Sequence, residues 1–224
     1  MSLLPKPAGC AECPLRDVGK GFCPDKVAPR AKYLFIGEAP GKNEIIESKE
    51  RPAQPFVGQA GFVLRDWLLR AVPALKMADE RGEITYANTL RCLPPEIQKR
   101  AYPKGEDKAV AERVCRQYDH FTEGIETVVL FGESPQRCFF GEELHAEDVT
   151  DRKLQHDVKG VSGRMGRVYE QDGKRWVFAP HPAWILRQPS IVEHGQAALR
   201  IAANQEKVVH VKYTGWDDAM GVLC

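Results

Sequence analysis

Apolar and polar positions along the chain sort into two kinds of segment. Tyr33-Leu34-Phe35-Ile36 is a short continuous apolar run followed at once by Gly37, the pattern of a strand buried on both faces and ended by a turn. Ile84 to Asn88 and Thr127 to Phe131 repeat that pattern, the latter closed by Gly132. Between them, Ala60, Val63, Leu64, Trp67, Leu68 and Ala71 recur at the spacing of a helix with one buried stripe, ended by Pro73. Ala109 to Phe121 predicts a second helix with Val110, Val114 and Phe121 inward, and Ser134 to Phe140 a short third. Val168-Tyr169 and Arg175 to Ala179 predict the two arms of a hairpin around Asp172-Gly173, the second arm running directly into Pro180-His181-Pro182. Ile191 to Asn204 is the last predicted helix, and Lys207 to Cys224 a tail with a β-like stretch at Val208 to Tyr213. Strands alternating with helices imply a mostly parallel sheet covered on both faces, with ligands bound beyond the carboxyl ends of its strands.

The segment from Met1 to Arg30 breaks this order. It carries Pro5, Pro7, Gly9, Gly19, Gly21 and Pro24 without sustained apolar periodicity, and reads as an irregular arm that something else must hold. A length of 224 residues fits one sizeable α/β domain, so the expectation is a single domain over 1–224 with an arm at 1–30 and a tail at 207–224. The formal net charge of +1 hides local contrast: basic residues gather at Lys99, Arg100 and Lys104, and again at Arg164, Arg167, Lys174 and Arg175. A polyanionic partner would be met by a local patch. No apolar run approaches the length of a membrane span, and a cytoplasmic protein is expected. Seven cysteines then argue against a disulfide framework and for metal or cluster ligation by some of them.

Cys10-Ala-Glu-Cys13 has the gap that lets two thiolates grip one metal centre, and Cys92 and Cys115 can supply a second pair from the core. Four thiolates suit zinc or an iron–sulfur cluster equally by count, and Cys23 is a competing ligand. Cys138, beside Phe139 and Phe140, reads as core. Gly37-Glu38-Ala39-Pro40-Gly41 follows a buried strand with glycines that permit close backbone approach to a ligand. Glu44 lies one turn further on, and Pro55-Phe56-Val57-Gly58 sets an aromatic ahead of the Ala60 helix.

These segments, together with Gln59-Ala60-Gly61, Asn88-Thr89-Leu90-Arg91-Cys92, Cys115 and His181-Pro182-Ala183-Trp184-Ile185-Leu186-Arg187, resemble in order and spacing the family 4, iron–sulfur type of uracil-DNA glycosylase. The likeness spans Cys10 to Asn204. It implies a three-layer α/β/α sandwich with a central, mostly parallel four-stranded sheet. It also implies a [4Fe–4S] cluster on Cys10, Cys13, Cys92 and Cys115, and removal of uracil from DNA by a chain expected to act as a monomer.

Roles follow from the chemistry of a base taken out of the stack. Cleavage leaves a uracil anion and a cationic sugar, so the site needs a donor for the first and negative charge for the second. His181 is the expected donor, as a neutral imidazole near the uracil O2, and Glu44 the group that orients water or stabilises the sugar. Asn88 offers the donor and acceptor that match the uracil amide edge, Phe56 a stacking face, and Gly37, Glu38, Ala39, Pro40 and Gly41 the pocket wall. Leu186 or Arg187, in a loop from Trp184, would fill the space the base vacates, and cations near Arg91, Lys99 and Arg187 would meet phosphates. Gly41 offers no side chain to exclude a thymine methyl. Ile45 to Gln54 is longer than the resemblance leads one to expect. Two other readings share the fold: a non-catalytic nucleic-acid-binding relative, and a relative that traps uracil sites covalently through a histidine in a basic loop. The comparable stretch here, Leu93 to Asp107, has no histidine, which favours turnover.

Overall fold

The computed structural model describes residues 3–45, 53–97, 100–101, 103–118, 124–140, 168–204 and 210–212. Three apolar runs pair in parallel, with β1 between the other two: β1 (Tyr33–Gly37), β2 (Ile84–Asn88) and β5 (Thr127–Phe131). β3 (Glu96–Ile97) and β4 (Arg100–Ala101) make a separate two-stranded ribbon. β6 (Val168–Gln171) and β7 (Lys174–Ala179) are the predicted hairpin. Asp172 and Gly173 both take positive φ, 51° and 68°, as a tight primed turn requires.

The four-strand expectation is too low. The main sheet runs β2-β1-β5-β7-β6, with β8 (His210–Lys212) added at the far edge. Neighbours pair parallel except β6 with β7. The hairpin's outer arm does not stand apart but extends the sheet, and part of the β-like stretch in the tail pairs alongside it.

Alternation along each strand divides the core between the two faces. Phe35, Tyr86, Val129 and Val177 face one side, where they pack with Val63, Leu64, Leu68, Leu75 and Leu199. Leu34, Ile36, Val128, Leu130 and Phe178 face the other, against Phe139 and Phe140 and against Ala28 and Ala31 of the arm. Cys138 is partly buried against this second face, as its apolar neighbours suggest.

The helices are α1 (Lys42–Ile45), α2 (Gln59–Phe62), α3 (Pro73–Glu80), α4 (Gly105–Arg116), α5 (Glu133–Phe140), α6 (Pro182–Arg187) and α7 (Val192–Ala202). The Ala60 segment is less regular than its periodicity predicts: α2 widens into a π-helical turn over Val63–Leu68 and tightens over Leu69–Ala71. Pro73 does not simply end it. It opens α3, where its missing N–H costs nothing. Among the described residues no helix is long and apolar enough to cross a membrane.

Candidate active site and thiol cluster

The strand order reverses between β1 and β5, since β2 leaves β1 on one side and β5 joins it on the other. In open α/β sheets the crevice at such a reversal, beyond the carboxyl ends, is where ligands bind. Gly37 and Gly132 sit at those ends. Gly132, at φ +84°, turns the chain away, and a Cβ there would meet the His181 Cβ at 3.0 Å. His181 follows β7, two strands or about 10 Å from β1, so the turn after β1 and the histidine flank the gap above β5.

The wall on the β1 side is pinned to β2. The Thr89 N–H donates to the Gly37 carbonyl at 3.0 Å, and the Leu90 N–H and Thr89 Oγ1 donate to the Glu38 carbonyl at 2.8 and 2.9 Å. A Cβ at Gly37 would stand 2.6 Å from Asn88 Oδ1 and 2.8 Å from Phe56 Cζ. The carboxamide, the aromatic edge and a backbone without a side chain therefore meet at one point, where any side chain on residue 37 would clash; the Phe56 ring is itself buried there, packed against Tyr86 and Phe131. Asn88 is buried, and its Nδ2 has no hydrogen-bond partner among the described residues. Such an orphaned donor costs about 1–3 kcal/mol and asks for an explanation.

Glu44, on α1, is buried. Its carboxylate accepts from the Gly41 N–H at 2.5 Å and from the backbone N–H groups of Phe56 and Val57. Burial raises its pKa above the ordinary carboxylate value, against the lowering effect of those donors and of Arg65. Glu44 thus ties the turn after β1 to the Phe56 segment across residues 46–52, which lie outside the described residues. Pro40 is buried, Ala39 packs against the thiol cluster, and Glu38 is exposed and ion-paired with Lys108 at 2.7 Å.

His181 caps α6: the Ala183 N–H donates to its Nδ1 at 3.1 Å. With Nδ1 an acceptor, the neutral ring carries its proton on Nε2 and can donate there. Desolvation pushes its pKa down from 6.5 to about 4, helped by Arg187 and opposed by Glu38. The segment from Trp184 is a short helix where a loop was expected, and it leaves Leu186 and Arg187 exposed at its far end.

A cleft lined by Glu38, Lys108, Glu112, Ser134 and Arg137 opens beside the turn between α4 and α5. Of the expected site residues it includes only Glu38. Its cations are already matched, Lys108 with Glu38 and Arg137 with Glu133.

On the other side of the Gly37–Gly41 turn, Cys10, Cys13, Cys92 and Cys115 are all buried and unbridged. Cys10 lies on a single 3-10 turn, Ala8–Glu12, with Cys13 as its C-cap; Cys92 follows β2 and Cys115 ends α4. Burial pushes the Cys92 thiol up to about 12 and the Cys115 thiol to about 11, and in each case other thiols of the same four add to the rise. Cys23 keeps different company, raised by burial and then by Glu44 and Asp25. Among the described residues no three Cys, His, Asp or Glu side chains converge as a metal-holding group. As a donor set, four buried thiols with no carboxylate among them suit a soft, thiophilic centre.

Residues 24–206 match the family model described as the Uracil DNA glycosylase superfamily. The chain belongs to that superfamily. It is similar to the Type-4 uracil-DNA glycosylase of Pyrobaculum aerophilum, 31% identical over 189 residues that cover 81% of this chain and 82% of that protein. The enzyme of the same description from Sulfurisphaera tokodaii is 26% identical over 186 residues, covering 81% of this chain and 73% of its own. That from Archaeoglobus fulgidus is 24% identical over 190 residues, covering 82% and 81%.

The expectation of a phosphate contact at Arg91 fails. Arg91 does not reach phosphates: it is 1% exposed, paired with both carboxylate oxygens of Asp25 at 2.9 and 2.8 Å, and donates to the Cys115 carbonyl at 2.7 Å. Its role is to bind the arm, the exit of β2 and the end of α4 together. The arm is held further by bridges from Lys20 to Leu93 and Lys26 to Tyr86, and is braced within itself by Lys6, whose ammonium donates to the carbonyls of Leu15, Arg16 and Gly19. Lys99 lies outside the described residues. Two participants carry no local signature of a site in the sequence: Gly132, marked there only as a strand end, and Arg65, which donates to the Phe56 carbonyl.

Proposed function

We propose that the chain hydrolyses the N-glycosidic bond of uracil in DNA, leaving an abasic site, and that it does so as one domain acting alone. The observation that carries the reading is the buried Asn88 amide, unpaired at Nδ2 among the described residues and abutting the side-chain-free Gly37. Uracil presents an O4 acceptor beside an N3–H donor, so Nδ2 donating to O4 and Oδ1 accepting from N3–H would satisfy both partners. Phe56 supplies the stacking face.

As the C1′–N1 bond breaks, its electron pair goes to the base and the charge spreads onto O2. His181, neutral and carrying its proton on Nε2, donates to that oxygen without first having to lose a proton. Glu44 places negative charge near the cationic sugar and orients the water whose oxygen bonds to C1′; the water's proton leaves to solvent. Leu186 and Arg187, exposed at the end of α6, occupy the space the base vacates and meet the backbone.

Cys10, Cys13, Cys92 and Cys115 would hold the [4Fe–4S] cluster. When bound it supplies a covalent tie between arm and core and no redox chemistry to the hydrolysis. Protein purified without oxygen is expected to contain about four irons per chain. Cys92→Ser should lower the iron content and the melting temperature together, and stoichiometric zinc in place of iron would contradict the assignment.

The reading is tested with a uracil-containing oligonucleotide incubated with purified protein and then cleaved by alkali. Strand scission at the uracil is expected. Binding without scission would return the chain to the non-catalytic alternative, and a protein–DNA adduct stable to denaturant would identify covalent trapping.

A further inference from the structure

Among the described residues Phe56 is the one non-glycine residue near the site with positive φ, 57°. For a bulky aromatic this backbone costs about 1–2 kcal/mol, and it persists only where the surroundings impose it. Both of its peptide groups are held. The N–H donates to the Glu44 carboxylate, and the carbonyl accepts from Arg65 Nη1 at 2.5 Å. Arg65 is itself fixed: its Nε faces Asp79 at 3.6 Å, its guanidinium lies 5.3 Å over the Tyr86 ring, and the Tyr86 hydroxyl donates to Asp79 at 2.8 Å. The π-helical turn carries Arg65 into this position, and Gly61 lets the helix close on it, since a Cβ there would lie 1.7 Å from the Phe56 carbonyl oxygen. π-helical turns recur at functional sites because they divert side chains that a regular helix would aim elsewhere.

We propose that Arg65 is a positioning residue for base recognition. Holding the Phe56 carbonyl while Glu44 holds its N–H, it fixes the left-handed backbone that aims the aromatic ring at Gly37 and Asn88, and so sets the platform on which uracil stacks. The proposal rests on the uracil-pocket reading and adds to it a residue that never touches the base.

The test is a double-mutant cycle on binding, using DNA with an arabino-fluoro uracil nucleotide whose glycosidic bond resists cleavage, and an abasic duplex as control. Arg65→Met and Phe56→Ala should each weaken binding of the uracil analogue about tenfold, the scale of one lost base stack. The double variant should be no weaker than the worse single, because both remove the same platform. Affinity for abasic DNA, which has no base to stack, should stay within about twofold for Arg65→Met. Arg65→Lys keeps the cation facing Asp79 and Tyr86 but loses the planar donor, so it guards against a folding defect and should show the same selective loss. Losses that multiply in the double variant, or that fall equally on abasic DNA, overturn the proposal. Excision by the wild type, scored separately, tests the glycosylase reading: additive losses in a protein that excises uracil sink only the role of Arg65.

Discussion

Replacing His181 with alanine is expected to slow uracil release by roughly a hundred- to a thousand-fold, the usual cost of removing one donor aimed at a developing anion. Affinity for uracil-containing DNA should change little, because the hydrogen bond strengthens only as charge reaches O2. The substitution also removes the side-chain cap of α6, worth about 1 kcal/mol, so a fall in melting temperature must be kept apart from the fall in rate. His181→Asn does this: asparagine caps a helix well but cannot reach as far. It should recover stability and remain slow. Single-turnover rates beside melting curves for both variants decide the matter, and an alanine variant with wild-type rates would remove His181 from the chemistry.

The pKa of His181 gives that prediction a pH signature. Its folded value, about 4, lies below its ordinary 6.5, so the folded protein resists the proton that the unfolded chain accepts. The stability associated with this group is complete above pH 6.5 and is lost as pH falls toward 4. The neutral donor likewise survives well below pH 6.5, and NMR titration should find the ring still neutral at about pH 5. Glu44 is shifted the opposite way, upward, so it takes up its proton at a higher pH than an ordinary carboxylate. The acid limb of the rate profile should therefore move in Glu44→Gln and stay in place in variants elsewhere. A histidine titrating at its ordinary value would show the ring to be more solvated than the packing against Gly132 indicates.

What the chain discloses before folding is set by how far apart the interacting residues lie in sequence. β1, β2 and β5 are legible because a strand buried on both faces must be apolar throughout, and the Asp172–Gly173 hairpin because its turn demands positive φ. Gly37, Asn88 and His181 are legible as strand-end residues for the same reason. The helical stripe from Ala60 conceals its π turn, since the apolar spacing of Val63, Leu64 and Leu68 fits a regular helix as well. Arg91 is misread as a surface cation because its partner Asp25 is 66 residues away, and no local pattern announces a buried pair at that distance. Nor does any composition rule mark Phe56 as left-handed. Its conformation comes from Glu44 on one side and Arg65 on the other, so it exists only once the core has assembled.

Asn88→Ala should separate stability from function more sharply than any other change in the pocket. Loss of both hydrogen bonds to the base leaves the polar edge of uracil unpaired inside the protein, a cost of about 2–4 kcal/mol, or roughly thirty- to a thousand-fold in kcat/KM. The folded protein without DNA loses nothing comparable, because among the described residues Nδ2 has no partner to give up and its burial is already unfavourable. Melting temperature should hold or rise even as activity collapses, the mark of a group kept for its ligand and not for the fold. Asn88→Asp sharpens the argument. A carboxylate of the same shape offers only acceptors, so it would set negative charge against the uracil O4 while still accepting from N3–H. Excision of uracil should then fall at least as far as in the alanine variant, most steeply at high pH where the carboxylate is fully ionised. If instead both variants melt several degrees lower and excise uracil at wild-type rates, Asn88 is a structural residue and the pocket must be sought elsewhere along the carboxyl edge of the sheet.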